Sequence, residues 1–114
     1  TGWIVSTLAG SGIDGEKEVY PCRYDPESHR DGVADKSRWA SPTRAQVVNG
    51  IVYAMDGMNG CIRSIVNNTV TSVTPCCTTE ESDVYIHTGP AGNGPQDMHV
   101  TEDGKWFYLM SSYN

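Results

Sequence analysis

The chain has 114 residues, enough for one small domain, with 38% hydrophobic residues and a formal net charge of −6. Its eight basic residues are scattered. This argues against nucleic-acid binding, because phosphate backbones are bound by clustered Lys and Arg. No run of about 18 apolar residues occurs, so no transmembrane helix is predicted, and no signal peptide is recognised.

Glycine and proline punctuate the chain every few residues, and β-branched residues fill the intervals between them. No amphipathic helical period is present. This pattern is typical of short strands joined by turns and predicts an all-β fold. The predicted strands are 3–8, 44–48, 51–55, 61–66, 70–74, 98–101 and 105–110, with a further short strand at 84–87.

Three dipeptides predict tight hairpin turns. Asn49-Gly50 is the strongest of them, because both residues accept a positive φ. Asp103-Gly104 is expected to be its equivalent later in the chain, and Asn67-Asn68 is expected to join the next pair of strands in the same way. Residues 44–74 are therefore predicted to form a four-stranded antiparallel meander, which cannot bury both of its faces alone.

Four cysteines, Cys22, Cys61, Cys76 and Cys77, have a spacing that fits no zinc knuckle. Their even number favours disulfides and an oxidising compartment. Of the three connectivities, we favour those that join Cys76 or Cys77 to Cys61 and the other to Cys22. Asn67 begins an Asn-Asn-Thr glycosylation sequon, which also favours secretion.

Two stretches of the sequence recur. Residues 5–10, VSTLAG, return as VTSVTP at 70–75, and residues 49–59 return within 103–114. Four-stranded units repeated every 40 to 65 residues or so are typical of β-propellers. The aligned residues are Tyr53, Met55 and Asn59 with Tyr108, Met110 and Asn114, and Pro42 with Pro95 at a slightly different offset.

Three blocks of the chain follow the order of an NHL repeat. They are Val5-Ser6-Thr7-Leu8-Ala9-Gly10; then Asp31-Gly32, Arg38-Trp39 and Pro42; then Gly50-Ile51-Val52-Tyr53, Asp56, Asn59, Ile62-Arg63 and Ile65. The chain therefore resembles the NHL-repeat β-propeller family.

The resemblance implies part of a larger propeller of about six four-stranded antiparallel blades. Residues 1–10 would be the last strand of one blade, 31–75 a complete blade and 95–114 a partial next blade. The segments 16–30 and 75–94 would be inserted loops. Ser111 stands where the repeat pattern expects an aspartate.

The polar residues between 56 and 63 have a structural interpretation. Asp56 and Asn59 lack the distal carboxylate of a calcium loop, so we expect them to bond the turn backbone and orient the next strand. Arg63 is expected to pair with an acidic side chain or carbonyls of a neighbouring blade. Among the histidines, His29 and His87 are expected to be solvated.

His99 lies in a predicted inner strand, and some propeller lyases that resemble this family place histidines around an axial zinc. An axial-metal lyase or hydrolase is therefore the alternative function, and it requires further histidines in other blades. The favoured function is an extracellular or cell-surface protein-binding or adhesion module without catalytic residues, metal or cofactor. The candidate contact residues are the loop tyrosines Tyr20, Tyr24 and Tyr85, a type favoured at protein interfaces.

Overall fold

The computed structural model describes residues 2–11, 29–40, 42–74, 76 and 97–110. They form two antiparallel β-sheets and short 3-10 helices at Ala34–Lys36 and Gly57–Asn59. The all-β expectation is confirmed at the level of antiparallel sheets. The strands are β1 (Gly32–Val33), β2 (Pro42–Val48), β3 (Ile51–Asp56), β4 (Cys61–Val66), β5 (Thr69–Ser72), β6 (Asp97–Val100) and β7 (Phe107–Met110).

The larger sheet, here called the central sheet, has the strand order β1-β5-β4-β3-β2. Its strands β2 to β5 are the predicted meander, each pairing antiparallel with the next. The short strand β1 was not predicted, and it pairs with β5 through Gly32–Val70 and Val33–Thr69. Strands β6 and β7 form a separate two-stranded sheet, here called the C-terminal hairpin.

The two turns inside the meander have the predicted left-handed backbone. Asn49 and Gly50 have φ values of 52° and 78°, and Asn67 and Asn68 have φ values of 51° and 59°. Two successive residues with positive φ match the right-handed twist of the flanking strands. These dipeptides therefore set the register of the meander.

The Asp103-Gly104 turn differs from the prediction of a two-residue link. Strand β6 ends at Val100 and β7 begins at Phe107, and the backbone N–H of Gly104 donates to the Thr101 carbonyl over 2.8 Å. The Asp103 carboxylate also accepts a hydrogen bond of 3.0 Å from the backbone N–H of Lys105. These local bonds stabilise a longer loop with one left-handed residue, Gly104 (φ 70°).

Hydrophobic clusters lie on both faces of the central sheet. On the front face, Met55 and Ile62 pack against Met98 and Val100 of the C-terminal hairpin. On the back face, Ile65 and Val70 pack against Ala34 and Trp39 of the loop that precedes β2, and against Ala9 and Val52. The meander is thus buried by a hairpin on one side and by its own preceding loop on the other.

The predicted strand at residues 3–8 is not a strand in the structure. Trp3, Ile4 and Val5 are each more than nine-tenths exposed. A β-prone sequence becomes a strand only when a neighbouring strand accepts its backbone bonds, and this segment pairs with none of the described strands. The predicted strand at 84–87 lies outside the described residues. Within the described part of the chain, no helix is long and apolar enough to cross a membrane.

Candidate functional site

The most elaborate side-chain arrangement is centred on Arg63, whose side chain is fully buried on the back face of the central sheet. Its Nη1 donates to the Arg38 carbonyl over 2.6 Å and to Asp56 Oδ2 over 3.1 Å. Its Nη2 donates to the Arg30 carbonyl over 2.6 Å and to Asp31 Oδ1 over 3.1 Å, and Nε donates to the same Asp31 oxygen over 3.3 Å. All five N–H groups of the guanidinium therefore have acceptors.

The partners of Arg63 hold the loop before β2 against the sheet. Residues Arg30 and Arg38 are also joined by a pair of backbone hydrogen bonds of 3.4 and 3.2 Å. The Trp39 ring covers the guanidinium, with Arg63 Cζ 4.1 Å from its centroid. The acidic partners, Asp31 and Asp56, lie within residues 31–75, the range that the resemblance assigns to the same blade as Arg63. The prediction that Arg63 pairs with a neighbouring blade is therefore wrong.

Asp56 is fully buried and binds three groups. Its Oδ1 accepts from the Ala40 backbone N–H over 2.8 Å, and its Oδ2 accepts from Asn59 Nδ2 over 2.7 Å as well as from Arg63. Asp56 thus has a structural role: it binds Asn59, the loop before β2 and Arg63 of β4. These bonds replace the turn-backbone bonds that the sequence suggested for Asp56.

The pKa values of the two carboxyls beside Arg63 are shifted in opposite directions. Burial raises the pKa of Asp56, although the hydrogen bonds from Asn59 and Ala40 and the charge of Arg63 oppose the rise. At Asp31 partial burial acts to raise the pKa, but hydrogen bonds from Ser72 and the Arg63 guanidinium outweigh it and lower the pKa. Asp31 is therefore the carboxyl that remains charged to lower pH.

His29, Ser72 and Asp31 meet beside the Cys61–Cys76 disulfide. Ser72 Oγ lies 3.0 Å from His29 Nε2 and 3.2 Å from the Cys76 sulfur. Asp31 Oδ1 lies 3.6 Å from the same His29 nitrogen. A catalytic triad requires the acid on the opposite ring nitrogen from the serine, so this trio lacks the geometry of a nucleophilic site.

The sequence predicts a solvated side chain at His29, but in the structure this side chain is only one-quarter exposed. Burial and the positive charge of Arg63 lower the pKa of its imidazole, and the Asp31 carboxylate only partly opposes them. His29 is therefore a neutral partner of Ser72 near neutral pH. The Cys61–Cys76 disulfide is one of the two Cys61 pairings that the sequence favoured; Cys22 and Cys77 lie outside the described residues.

Polar side chains of β2 and of the turn that follows it connect the central sheet to the C-terminal hairpin. The Gln46 amide donates to the Val100 carbonyl over 2.8 Å and accepts from the Val100 N–H over 2.7 Å, as a backbone peptide would. The Asn49 side chain donates to the Glu102 carbonyl over 2.8 Å. Arg44 Nε forms an ion pair of 3.0 Å with Asp97, and both side chains are about half exposed. These contacts fix how the hairpin lies across β2.

An apolar groove of about 360 Å³ opens on the back face of the central sheet. It lies beside the Arg63 cluster and is bordered by the end of the N-terminal segment. Sequence reasoning did not identify this surface as open, although the alternation along β2 and β3 predicts an apolar back face. Its principal lining residues are Leu8, Trp39, Pro42, Ala45, Val52 and Ala54.

The predicted contact tyrosines Tyr20, Tyr24 and Tyr85, and also His87, lie outside the described residues. Asn67 is described and exposed, at the tip of the β4–β5 turn, where a glycan has room. His99 is exposed on β6 and, with Gln46, borders a polar cleft of about 430 Å³. Among the described residues no three His, Cys, Asp or Glu side chains are grouped closely enough to hold a metal ion.

Comparison with known proteins adds no relative: no family model matches the chain, and neither the curated proteins nor the solved structures include a significant match.

Proposed function

We propose that this chain is a segment of an extracellular or cell-surface β-propeller of the NHL type that serves as a protein-binding module. The observation that carries the proposal is the packing of two sheets whose sequences recur. The central sheet and the C-terminal hairpin lie face to face through Met55, Ile62, Met98 and Val100. Face-to-face packing of successive antiparallel units is the construction principle of a propeller.

The arrangement around Arg63 supports a structural role for the repeat-motif positions Asp31, Trp39, Asp56 and Arg63. The acceptors saturate the guanidinium and leave it fully buried, so it offers no charge to a ligand. Function is therefore assigned to surfaces outside this cluster, and the proposed contact region is the pair of segments 16–30 and 75–94, which the sequence predicts to be inserted loops and which contain Tyr20, Tyr24 and Tyr85.

The Cys61–Cys76 disulfide supports an extracellular site of action, because disulfides persist mainly in oxidising compartments. The test is expression through the secretory pathway of a eukaryotic cell. The expected product contains no free thiols in a denaturing titration and loses a glycan from Asn67 on amidase treatment. An Asn67→Gln variant is the control for the glycan. Secretion as a protein with four free thiols would contradict the extracellular assignment.

Protein binding is tested with the labelled, oxidised chain on intact cells and on cells whose surface proteins have been removed by trypsin. We expect saturable binding that trypsin abolishes. Replacing the three loop tyrosines by alanine should weaken it about thirtyfold or more, since aromatic contact residues often carry about 2 kcal/mol or more each. Trp106→Ala, at an exposed aromatic residue of the β6–β7 loop that lies outside those segments, is the matched control. Binding that survives trypsin would contradict a protein partner.

A further inference from the structure

The two hairpins of the molecule have the same register at the positions where the sequence recurs. In the central sheet Gln46 faces Tyr53 across the β2–β3 pair, and in the C-terminal hairpin His99 faces Tyr108. Aligning Tyr53 with Tyr108 therefore also aligns β2 with β6. The remaining equivalent pairs are Arg44 with Asp97, Ala45 with Met98, Val47 with Val100, Val52 with Phe107 and Ala54 with Leu109.

This equivalence identifies which surfaces correspond. The hairpin packs on the central sheet through the face that carries Met98, Val100 and Phe107. The corresponding face of the central sheet carries Ala45, Val47 and Val52, and it borders the open apolar groove. A surface that is buried in the second unit is thus left open in the first.

The outer face of the hairpin, which corresponds to the front face of the central sheet, is exposed. His99 and Tyr108 are exposed there, and Tyr108 retains 59% of its accessible surface. Their equivalents, Gln46 and Tyr53, are the side chains of the central sheet that contact the hairpin. Within the described part of the chain, the apolar groove and the outer face of the hairpin are therefore both uncovered, and they are the two kinds of surface that the internal interface joins.

Charges at the edge of these surfaces are also complementary. Inside the chain Arg44 of the first unit pairs with Asp97, its equivalent in the second unit. A second copy placed after the hairpin in the same way brings its Arg44 to Asp97 of the first copy, so positive and negative charges alternate along the row. Val48 and Ile51 flank the tight turn as a hydrogen-bonded pair, so the backbone N–H and C=O of Val47 point away from β3, toward the outer edge of β2. In the proposed arrangement His99 of the preceding copy can reach these two groups.

We propose that a second copy of this chain binds head to tail, with the outer face of the C-terminal hairpin of one copy seated on the apolar groove of the next. The inference rests on the propeller arrangement proposed above, in which each of these two surfaces faces a neighbouring blade, so that a second copy takes the position of that blade. It does not rest on binding of a different protein. The contact is heterologous, so it extends to further copies or closes into a ring.

The test is sedimentation velocity of the oxidised 114-residue chain between about 10 μM and about 500 μM, the range suited to a small interface. We expect the sedimentation coefficient to rise with concentration. Ala45→Glu places a charge in the groove, and Tyr108→Glu places one on the outer face of the hairpin. Each should weaken association about tenfold or more, because the charge loses water without a partner. Thr71→Glu, at an exposed strand position on neither surface, is the control.

A charge exchange tests the geometry. The double variant Arg44→Asp/Asp97→Arg retains the ion pair inside each copy and between identical copies, so it should associate with itself like the natural chain. Mixed with the natural chain it brings like charges together at every mixed junction. We expect mixed association to be about fivefold weaker than self-association, with the difference reduced by salt.

Several results would overturn the inference. A chain that remains monomeric over the whole range refutes it, as does association unaffected by Ala45→Glu while circular dichroism shows an intact fold. Equal mixed and self-association would show that Arg44 and Asp97 do not meet across copies. None of these results would alter secretion, the disulfide or tyrosine-dependent binding to cells, so failure here is distinguishable from failure of the protein-binding role.

Discussion

The two faces of the central sheet are held by different kinds of interaction. The back face is built around the buried charge of Arg63, whose five N–H groups bind two carboxylates and two carbonyls. The front face is built from methionine, isoleucine and valine side chains, with Gln46 providing its directional bonds. The first arrangement fixes one loop in one position, whereas the second allows a separate sheet to pack as a unit.

The largest expected effect comes from removing the charge on the back face. Arg63→Met leaves Asp56 buried without its ionic partner and frees the loop carbonyls, so we expect the free energy of unfolding to fall by about 3–5 kcal/mol. Urea denaturation of the oxidised protein measures it. Arg44→Met, which breaks a half-exposed ion pair, should cost at most about 1 kcal/mol. Similar losses for the two variants would contradict the distinction between the faces.

On the front face, Met98→Ala removes a side chain that is 4% exposed between the hairpin and the sheet. We expect a loss of about 2–5 kcal/mol from lost burial and the residual cavity. Hydrogen exchange should show early opening of residues 97–110 while β3 and β4 remain protected. Leu109→Ala, at a position 38% exposed, is the control and should have a smaller effect. Simultaneous opening of both sheets would show that the hairpin is not a separate unit.

The disulfide does not involve the C-terminal hairpin, because it joins Cys61 at the start of β4 to Cys76, which follows β5. Cys61 and Cys76 are 15 residues apart, and the crosslink closes the segment that contains β4 and β5. Cys61→Ser/Cys76→Ser should lower the free energy of unfolding by about 3 kcal/mol, mainly because the unfolded chain gains freedom. Urea denaturation without added reductant, so that the other cysteines are undisturbed, measures this. An unchanged transition would contradict the crosslink.

The smallest expected effect is the pH response of the back face. Burial and Arg63 lower the pKa of His29 below its usual 6.5, so the unfolded chain binds the proton first and stability falls as the pH drops below about 6.5. The lowered pKa of Asp31 adds a second loss, which begins below its usual 3.8 and continues as the pH falls through its folded value. His29→Gln should remove the first loss and Asp31→Asn the second, each measured by thermal unfolding against pH. Because the raised pKa of Asp56 acts in the opposite direction at low pH, each assignment is judged from the difference between the variant and the natural chain. A His29→Gln or Asp31→Asn variant whose stability changes with pH like that of the natural chain would contradict the assignment.

The meander was predictable because its signals are local. Asn49-Gly50 and Asn67-Asn68 specify their turns almost independently of the rest of the chain, and the alternation in β3 and β4 specifies the register between them. The Asp103-Gly104 hairpin was predicted with too short a link, since the hydrogen bonds of its flanking residues compete with the tight turn. The segment 3–8 was predicted as a strand from composition, although its pairing depends on a partner that its own sequence does not encode.

The site was less predictable. The motif pointed to Asp56 and Arg63, but their partners Ala40 and Arg38 contribute backbone atoms, which leave no trace in residue identity. Gln46 likewise gave no signal, because an amide on a strand is unremarkable until its neighbour is known. The Cys61 pairing with Cys76 was among the favoured alternatives, since the connectivity set aside pairs the adjacent Cys76 and Cys77 in a strained ring, but the sequence did not choose between Cys76 and Cys77.

The double hydrogen bond from Gln46 to Val100 has a consequence for sequence drift. Gln46 recognises the main chain of residue 100 and not its side chain, so the bond survives replacement of Val100 by another apolar residue. Position 46 is constrained differently, because few side chains present a donor and an acceptor side by side. Variation across this interface should therefore be unequal: position 100 is free to change among apolar residues of similar volume, whereas position 46 tolerates little besides an amide.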